Sequence, residues 1–218
     1  CKITDPAIYE IAGLAGFDFA VIDTEHGPAS IERAQDLIRA SELSGMSPVI
    51  RVPANNEHEI LRALDIGAHG VQVPEINTRA QAEKLAHAAR YHPRGRRGVC
   101  AYVRASRYSA VPRSEIFERA NNAVTIIAHI EGLEGLRNLD EILGVDGLDV
   151  IFIGPYDLSQ SMGVPGQTDN PKVIAAMEDI ARRAADRGRT VGTFVETPGQ
   201  AHRWLAAGAR YISYSVDV

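Results

Sequence analysis

The sequence predicts an α/β fold, a (β/α)8 barrel, as a single domain over residues 1–218. Short apolar runs alternate with longer amphipathic segments along the whole chain. Each apolar run is almost continuous, which is typical of parallel strands that are covered on both faces. About eight such units in some 220 residues fit a (β/α)8 barrel. A doubly wound open sheet is the main alternative, but no glycine-rich phosphate loop follows any strand.

Seven segments are predicted to be buried strands. In chain order they are Phe17–Asp23, Ser47–Val52, Gly70–Pro74, Val124–Glu131, Asp149–Gly154, Val191–Val195 and Arg210–Val216. A short remnant at Cys1–Ile3 completes the count of eight. Only Asp217 and Val218 follow the last strand, so the eighth helix is missing. We expect either that the sequence is trimmed from a longer chain or that another subunit supplies this helix.

The helices between the strands are predicted from apolar residues at helical spacing and from their end signals. Thr78 and Gln81 form a capping-box pattern, and Gly67 ends a helix as a C′ residue. The predicted helices are Asp5–Leu14, Ser30–Ser44, Glu57–Ile66, one after Thr78, Leu133–Leu143, one from Asn170 to Arg187, and one from Thr197 to near Gly208. Residues 91–122 are predicted to be a long irregular connection.

The amino-acid composition argues against some classes of binding partner. The net charge of −5 argues against a nucleic-acid or lipid-surface binder, which needs a basic face. No apolar run approaches the roughly 18 residues of a membrane span. Cys1 and Cys100 are the only cysteines and have no metal-ligand spacing, which indicates a reducing cytoplasm.

Polar residues directly after the strands are the candidates for chemistry, because barrel active sites form there. They are Asp23, Glu25, His26, Arg51, Glu75, His129, Glu131, Tyr156, Asp157, Glu196 and Asp217. Carboxylates on adjacent strand ends can converge on one hard cation. The alternative for each is a helix cap or a solvated loop side chain.

His26 and Arg51 have more specific interpretations. His26 among carboxylates could act as a general base near neutral pH, or it could be a solvated loop residue. Arg51 suits a substrate carboxylate or enolate, or it forms an ion pair with a loop acid. The only lysines are Lys2, Lys84 and Lys172, and the last two fall in predicted helices outside the barrel. This scarcity favours a metal over a Schiff base as the electrophile.

Six motifs, in this order and spacing, resemble the class II, metal-dependent pyruvate aldolases over nearly the whole chain. They are Gly16–Gly27, Arg51–Pro53, Leu64–Pro74, Arg94–Gly98, His129–Gly132 and Gly154–Gly163. The resemblance implies that Glu131 and Asp157 bind Mg²⁺, Mn²⁺ or Co²⁺. It also implies that Arg51 steadies a pyruvate enolate.

The resemblance implies further roles. His26 matches a base that acts through a water, with Asp23 beside it, and Asp65 matches an aspartate that reaches this histidine from a neighbouring subunit. The loop formed by Gly154, Pro155, Tyr156 and Asp157 matches the stretch whose backbone amides grip the substrate carboxylate. Two residues depart from the family pattern. His129 stands where glutamine is usual and is a candidate for substrate contact, and Tyr156 stands where a small residue is usual.

The implied function is a lyase that cleaves a 4-hydroxy-2-oxo acid to pyruvate and an aldehyde. The implied partner is a small 2-oxo acid, with no nucleic acid or membrane, in a cytoplasmic homo-oligomer that is a hexamer or a trimer of dimers. Alternatives are oxaloacetate decarboxylation or acyl-CoA lyase chemistry on the same scaffold, and a non-catalytic oxo-acid binding protein.

Overall fold

A computed structural model describes residues 1–217, with the backbone alone at Arg113. The strands are β1 (Phe19–Asp23), β2 (Ser47–Arg51), β3 (Gly70–Val73), β4 (Thr125–Ile130), β5 (Val150–Ile153), β6 (Thr190–Val195) and β7 (Tyr211–Tyr214). The helices are α1 (Pro6–Leu14), α2 (Ile31–Leu43), α3 (Glu57–Asp65), α4 (Arg79–Ala89), α5 (Arg113–Ala123), α6 (Leu133–Arg137), α7 (Leu139–Leu143), α8 (Pro155–Ser161), α9 (Pro171–Asp186) and α10 (Pro198–Ala206).

The strand order confirms the predicted fold class. All seven predicted strands are present, and their order in the sheet follows their order in the chain. The pairings within β1–β3 and within β4–β7 are parallel, with helices between consecutive strands. This is the arrangement of a (β/α) barrel. Every residue of β3 and β5 is buried, as expected for strands covered on both faces.

The chain divides into two compact units. The first contains Cys1–Gln72, Lys84–Thr125 and the C-terminal residues from Val216, and the second contains Val73–Glu83 and Ile126–Ser215. The prediction of one domain over residues 1–218 stays a prediction. No helix of residues 1–217 has the length and apolar character needed to cross a bilayer. Cys1 and Cys100 are both free thiols.

The predicted helix starts are confirmed by their side-chain caps. Thr78 Oγ1 accepts from the Gln81 N–H at 3.2 Å, and Gln81 Oε1 accepts from the Thr78 N–H at 3.0 Å. Thr197 and Gln200 form a second capping box ahead of α10. These reciprocal bonds satisfy backbone donors that have no partner inside the helix.

The remnant Cys1–Ile3 runs beside β1 but is not a strand, which corrects the prediction. Cys1 N donates to Val21 O, and Cys1 O accepts from Asp23 N at 3.1 Å. On the other side, Lys2 N and Ile3 N donate to the Asp217 carboxylate at 2.7 and 3.0 Å. A side chain therefore takes the bonds that a neighbouring strand would take in a ladder.

The helix predicted over Leu133–Leu143 is wrong in its continuity. It is split into α6 and α7 at Asn138, whose side-chain amide donates to Asn77 O at 2.8 Å. A Cβ at Gly135 would lie 2.9 Å from Ile76 O, so α6 packs directly on the backbone of the preceding loop. This close approach fixes the direction of α6. The helix is interrupted at Asn138, and α7 begins at the next residue.

The prediction of a wholly irregular segment over 91–122 is also wrong. The segment contains a 3₁₀ helix, Arg104–Ser109, and most of α5. The helix α5 has a narrow apolar face, because Ile116 is buried and Phe117 packs edge-on against the Tyr91 ring at 5.0 Å. Because α5 has so few apolar positions, its hydrophobic periodicity in the sequence is weak.

We predict that Asn121→Ala lowers the free energy of unfolding by about 2 kcal/mol. Asn121 is buried, and its side chain accepts from Tyr91 N at 2.7 Å and donates to Tyr91 O at 3.0 Å. The variant leaves both Tyr91 backbone groups without these partners. Urea denaturation measures the effect, and Asn122→Ala at the exposed neighbouring position is the control. Equal losses in the two variants would contradict the anchoring role.

Candidate active site

Three residues near the strand ends of the first unit are register partners on adjacent strands. The register pairs Asp23 with Arg51 and Arg51 with Gln72. Asp23 and Gln72 are buried, and Arg51 is partly buried. The parallel register therefore brings a carboxylate, a guanidinium and an amide together at the carboxyl ends of β1, β2 and β3, where the sequence predicted the active site.

Arg51 is held by two acids. Its Nε and Nη2 donate to Asp23 Oδ1 and Oδ2 at 2.9 and 2.6 Å, and its Nη1 lies 3.0 Å from Glu25 Oε2. The ion pair considered as an alternative is therefore present. The two parallel bonds to Asp23 also fix the plane of the guanidinium, which is 20% exposed at the strand end.

Asp23 is held in its charged form. Burial by itself raises the pKa of this carboxyl, but the hydrogen bonds and charge of Arg51 and the backbone N–H groups of His26 and Glu25 outweigh burial and lower the pKa. Asp23 Oδ1 accepts from Glu25 N at 3.1 Å and from His26 N at 3.2 Å. Asp23 thus fixes both the arginine and the turn that carries His26.

His26 is accessible to solvent. Its side chain is 59% exposed, and its Nε2 lies 3.9 Å from Glu25 Oε2. The structure places it in the turn directly after β1, as the sequence predicted. Its role as a base stays a prediction.

Asp65 has a partner within the chain. Its Oδ1 accepts from Arg97 Nη2 at 2.6 Å, and the Arg97 side chain is 2% exposed. The Arg97 guanidinium also lies 4.7 Å from the centroid of the Tyr91 ring. The predicted contact of Asp65 with a histidine of a neighbouring subunit stays a prediction.

Glu131, in the second unit, directly follows β4 and is 7% exposed. Its Oε1 accepts from Glu75 N at 2.8 Å, and its Oε2 lies 2.8 Å from His129 Nδ1. The His129 ring is buried and stacks on Phe152 at 4.5 Å. His129 therefore contacts the predicted metal ligand, and its contact with the substrate stays a prediction.

Gly154 provides space for the Glu131 carboxylate. A Cβ at Gly154 would lie 2.3 Å from Glu131 Oε2, so only glycine permits this approach. Gly154–Asp157 was predicted to be a loop, which is wrong beyond its first residue: Gly154 is the N-cap of α8, and Asp157 lies in its first turn. Pro155 fits that turn because its missing N–H is not needed there.

These residues fit a hard divalent cation. No group of three or more His, Cys, Asp or Glu side chains with a metal-holding arrangement occurs in the part of the chain that the structure describes. Two carboxylates still suit Mg²⁺, which is often held by one or two carboxylates with water and substrate oxygens. Glu131 directly follows β4, and Asp157 lies in the first turn of α8, which follows β5. Because β4 and β5 are paired and parallel, both carboxylates come from the same edge of the sheet, which supports this fit.

Tyr156 has a hydrogen-bond partner at the end of β6. It is 44% exposed, and its hydroxyl donates to Glu196 Oε1 at 2.7 Å. This hydrogen bond, more than burial, raises the pKa of Tyr156. The Tyr156 hydroxyl, on the side chain that departs from the family pattern, thus lies at the end of β6.

Three acids at strand ends acquire partners that the sequence did not assign. Glu25 lies beside Arg51, Glu75 donates its N–H to Glu131, and Glu196 accepts from Tyr156. Glu75 has φ of 56°, a left-handed conformation that is rare for this residue type. Position after a strand was the signal for all three, but it does not specify a partner.

The sequence model of the family described as HpcH/HpaI aldolase/citrate lyase matches residues 2–218. A hydroxypyruvate/pyruvate aldolase of Deinococcus radiodurans is 39% identical, over 99% of this chain and 77% of its own. A 5-keto-4-deoxy-D-glucarate aldolase of Shigella dysenteriae is 36% identical, over 99% of this chain and 84% of its own. The crystal structure of an HpcH/HpaI aldolase/citrate lyase family protein from Burkholderia cenocepacia is similar, with a TM-score of 0.94 and 31% identity over 99% and 86% of the two chains.

We predict that Asp23 makes stability depend on pH in the acid range. Its folded pKa lies below the unfolded value of about 3.9. Its contribution is therefore complete above that value and is lost as the pH falls through the folded pKa. Asp23→Asn should cost about 2 kcal/mol near pH 6 and clearly less near pH 2.5.

Urea denaturation of both proteins across this range measures the difference. Asp36→Asn is the control, because Asp36 forms an exposed ion pair with Arg39 on α2. A cost of Asp23→Asn that stays constant with pH would contradict the prediction.

Proposed function

The chain belongs to the HpcH/HpaI aldolase/citrate lyase family and is an aldehyde-lyase, and from this premise we propose that it reversibly cleaves a 4-hydroxy-2-oxo acid to pyruvate and an aldehyde. The observation that carries the proposal is the buried Glu131 carboxylate, set against Gly154 at the end of β5. Two relatives are named as aldolases of oxo acids, which supports a 2-oxo acid substrate.

We propose that Glu131 and Asp157 hold a divalent cation, Mg²⁺, Mn²⁺ or Co²⁺. When bound, such an ion supplies a Lewis acid that polarises the 2-oxo group of the substrate. The residues of the chain prepare this position. Glu75 N–H and His129 orient the Glu131 carboxylate, and Gly154 leaves it room.

The proposed reaction breaks the C3–C4 bond. His26 takes the proton of the C4 hydroxyl through a water, and the C4 oxygen forms the aldehyde carbonyl. The electron pair of the broken bond moves toward C2 and gives a pyruvate enolate. Arg51 stabilises the enolate charge, and protonation at C3 yields pyruvate. Condensation is the same path reversed.

The remaining parts of the proposal concern the surroundings of the site. Gly154–Asp157 is proposed to contact the substrate carboxylate through its backbone. The protein is proposed to be a cytoplasmic homo-oligomer, a hexamer or trimer of dimers, in which Asp65 of the partner subunit reaches His26. Catabolism of sugar acids or of aromatic compounds is the proposed context.

We predict that Glu131→Gln lowers the rate of deuterium exchange at pyruvate C3 by at least about 100-fold in the presence of Mg²⁺ or Mn²⁺. The amide keeps the size of the side chain but removes the charge that holds the ion. Exchange is followed by NMR without any aldehyde. Glu134→Gln, at an exposed position of α6, is the matched control. Exchange that survives a chelator would overturn the metal, and absence of exchange in the unaltered protein would overturn the aldolase.

We predict that Arg51→Lys lowers kcat/KM for cleavage by about 100-fold with a smaller effect on thermal stability. Lysine keeps the charge but cannot form the two parallel bonds to Asp23. Arg39→Lys, in an exposed ion pair with Asp36, is the control. Activity of Arg51→Lys equal to that of the control would exclude Arg51 from enolate stabilisation.

A further inference from the structure

A cavity of about 100 Å³ lies within the second unit, between α8, α9, α10 and the end of β6. Three aromatic side chains line it, Tyr156, Phe194 and Trp204, and Trp204 is buried. Ile174 and Met177 of α9 add apolar surface. The reaction steps proposed above use none of these side chains.

Two carboxylates also line this cavity. Glu196 directly follows β6, and Asp169 directly precedes the N-cap of α9. The Tyr156 hydroxyl donates to Glu196 Oε1 at 2.7 Å and so holds this carboxylate beside an aromatic ring. The Asp169 carboxylate forms no hydrogen bond or ion pair with the residues that the structure describes. Aromatic rings and carboxylates therefore share one small space.

The lining of the cavity has a negative charge. Arg203 is the one basic side chain among the described residues that line it, and it donates to Glu178 Oε1 at 2.8 Å. Its guanidinium lies 5.9 Å from the centroid of the Trp204 ring. Because Glu178 balances the charge of Arg203, the charges of Glu196 and Asp169 remain. An anionic ligand would face like charge, whereas a cation would be attracted.

We propose that this cavity binds a small organic cation, an alkylammonium group, between its aromatic rings and its carboxylates. The face of an aromatic ring is negative and attracts such a cation, and tryptophan does so most strongly. The carboxylates supply the opposite charge. The inference is independent of the proposed aldolase reaction, because it requires neither the divalent ion nor the oxo acid.

An inorganic cation fits this cavity less well than an organic one. A hard divalent ion requires several oxygen ligands. Residues 1–217, however, contain no group of three or more His, Cys, Asp or Glu side chains that could hold a metal ion. The apolar surface of Phe194 and Met177 would also remain in contact with the water around such an ion. The alkyl groups of an organic cation instead cover this surface, and its removal from water favours binding.

The size of the cavity limits the cation. Its volume of about 100 Å³ is roughly three times the 30 Å³ that one water occupies in the liquid. Tetramethylammonium, with about five non-hydrogen atoms, is therefore a suitable probe. The neutral molecule tert-butanol has a similar size and shape and tests whether the charge of the ligand matters.

Trp204 provides a direct signal for binding, because it is the single tryptophan of the chain and lines the cavity. We predict that tetramethylammonium chloride changes the tryptophan emission saturably and raises the Tm, in the absence of pyruvate and added metal. Potassium chloride at the same ionic strength should do neither. The affinity for tert-butanol should be at least about tenfold lower than that for tetramethylammonium.

Two variants test the residues that hold the cation. Glu196→Gln should weaken binding of tetramethylammonium by about tenfold, because it removes a charge and keeps the size of the side chain. Phe194→Leu should weaken it by about fivefold, because leucine is apolar but has no aromatic ring. Neither should change the weak affinity for tert-butanol by as much. Asp186→Asn, exposed at the end of α9, is the matched control and should leave both affinities unchanged.

Three results would overturn the proposal. The first is that tetramethylammonium affects the emission and the Tm of the unaltered protein no more than potassium chloride does. The second is that tert-butanol binds as tightly as tetramethylammonium. The third is that both Glu196→Gln and Phe194→Leu keep an affinity for tetramethylammonium within about twofold of that of the unaltered protein. Thermal denaturation without ligand identifies a variant that has lost its fold. Pyruvate C3 exchange tests the aldolase separately, so either proposal can fail alone.

Discussion

The candidate site depends on keeping charged carboxylates buried at the carboxyl ends of parallel strands. Removing a carboxylate from water is costly unless donors replace the lost hydration. Asp23 has the two parallel bonds of Arg51 and two backbone N–H groups. Glu131 has the N–H of Glu75 and the ring of His129. In both units the donors come from residues near strand ends, so the sheet itself sets the geometry of the charged groups.

Glu75 shows how local strain serves this requirement. Its φ of 56° places it in the left-handed region, which costs a residue with a side chain roughly 1 kcal/mol or more. In this conformation its N–H points at Glu131 Oε1, while the next residue, Ile76, donates to His129 O at 3.1 Å. The turn after β3 therefore ties both the predicted metal ligand and the histidine two residues before it. An N–H aimed at a carboxylate offsets the strain.

The strands were predictable because fully buried parallel strands leave continuous apolar runs, and their ends followed from the same pattern. The helix α5 and the break at Asn138 were not predictable. The first has few buried apolar residues, and the second depends on a bond to Asn77, which is remote in sequence.

Among the site residues, position at a strand end could be predicted, but partners could not. The Tyr156–Glu196 pair joins residues 40 positions apart, and no local pattern indicates it.

The ion pair of Asp65 bears on how His26 could be tuned. Arg97 donates to Oδ1 of Asp65 at 2.6 Å, and a carboxylate can accept several hydrogen bonds at once. A histidine approaching from a partner subunit would therefore find a carboxylate whose orientation is already fixed. The nearby guanidinium also withdraws negative charge, so an Asp65 that is shared with Arg97 is a weaker acceptor than a free one. Its contribution to His26 would then be to fix the orientation of the ring.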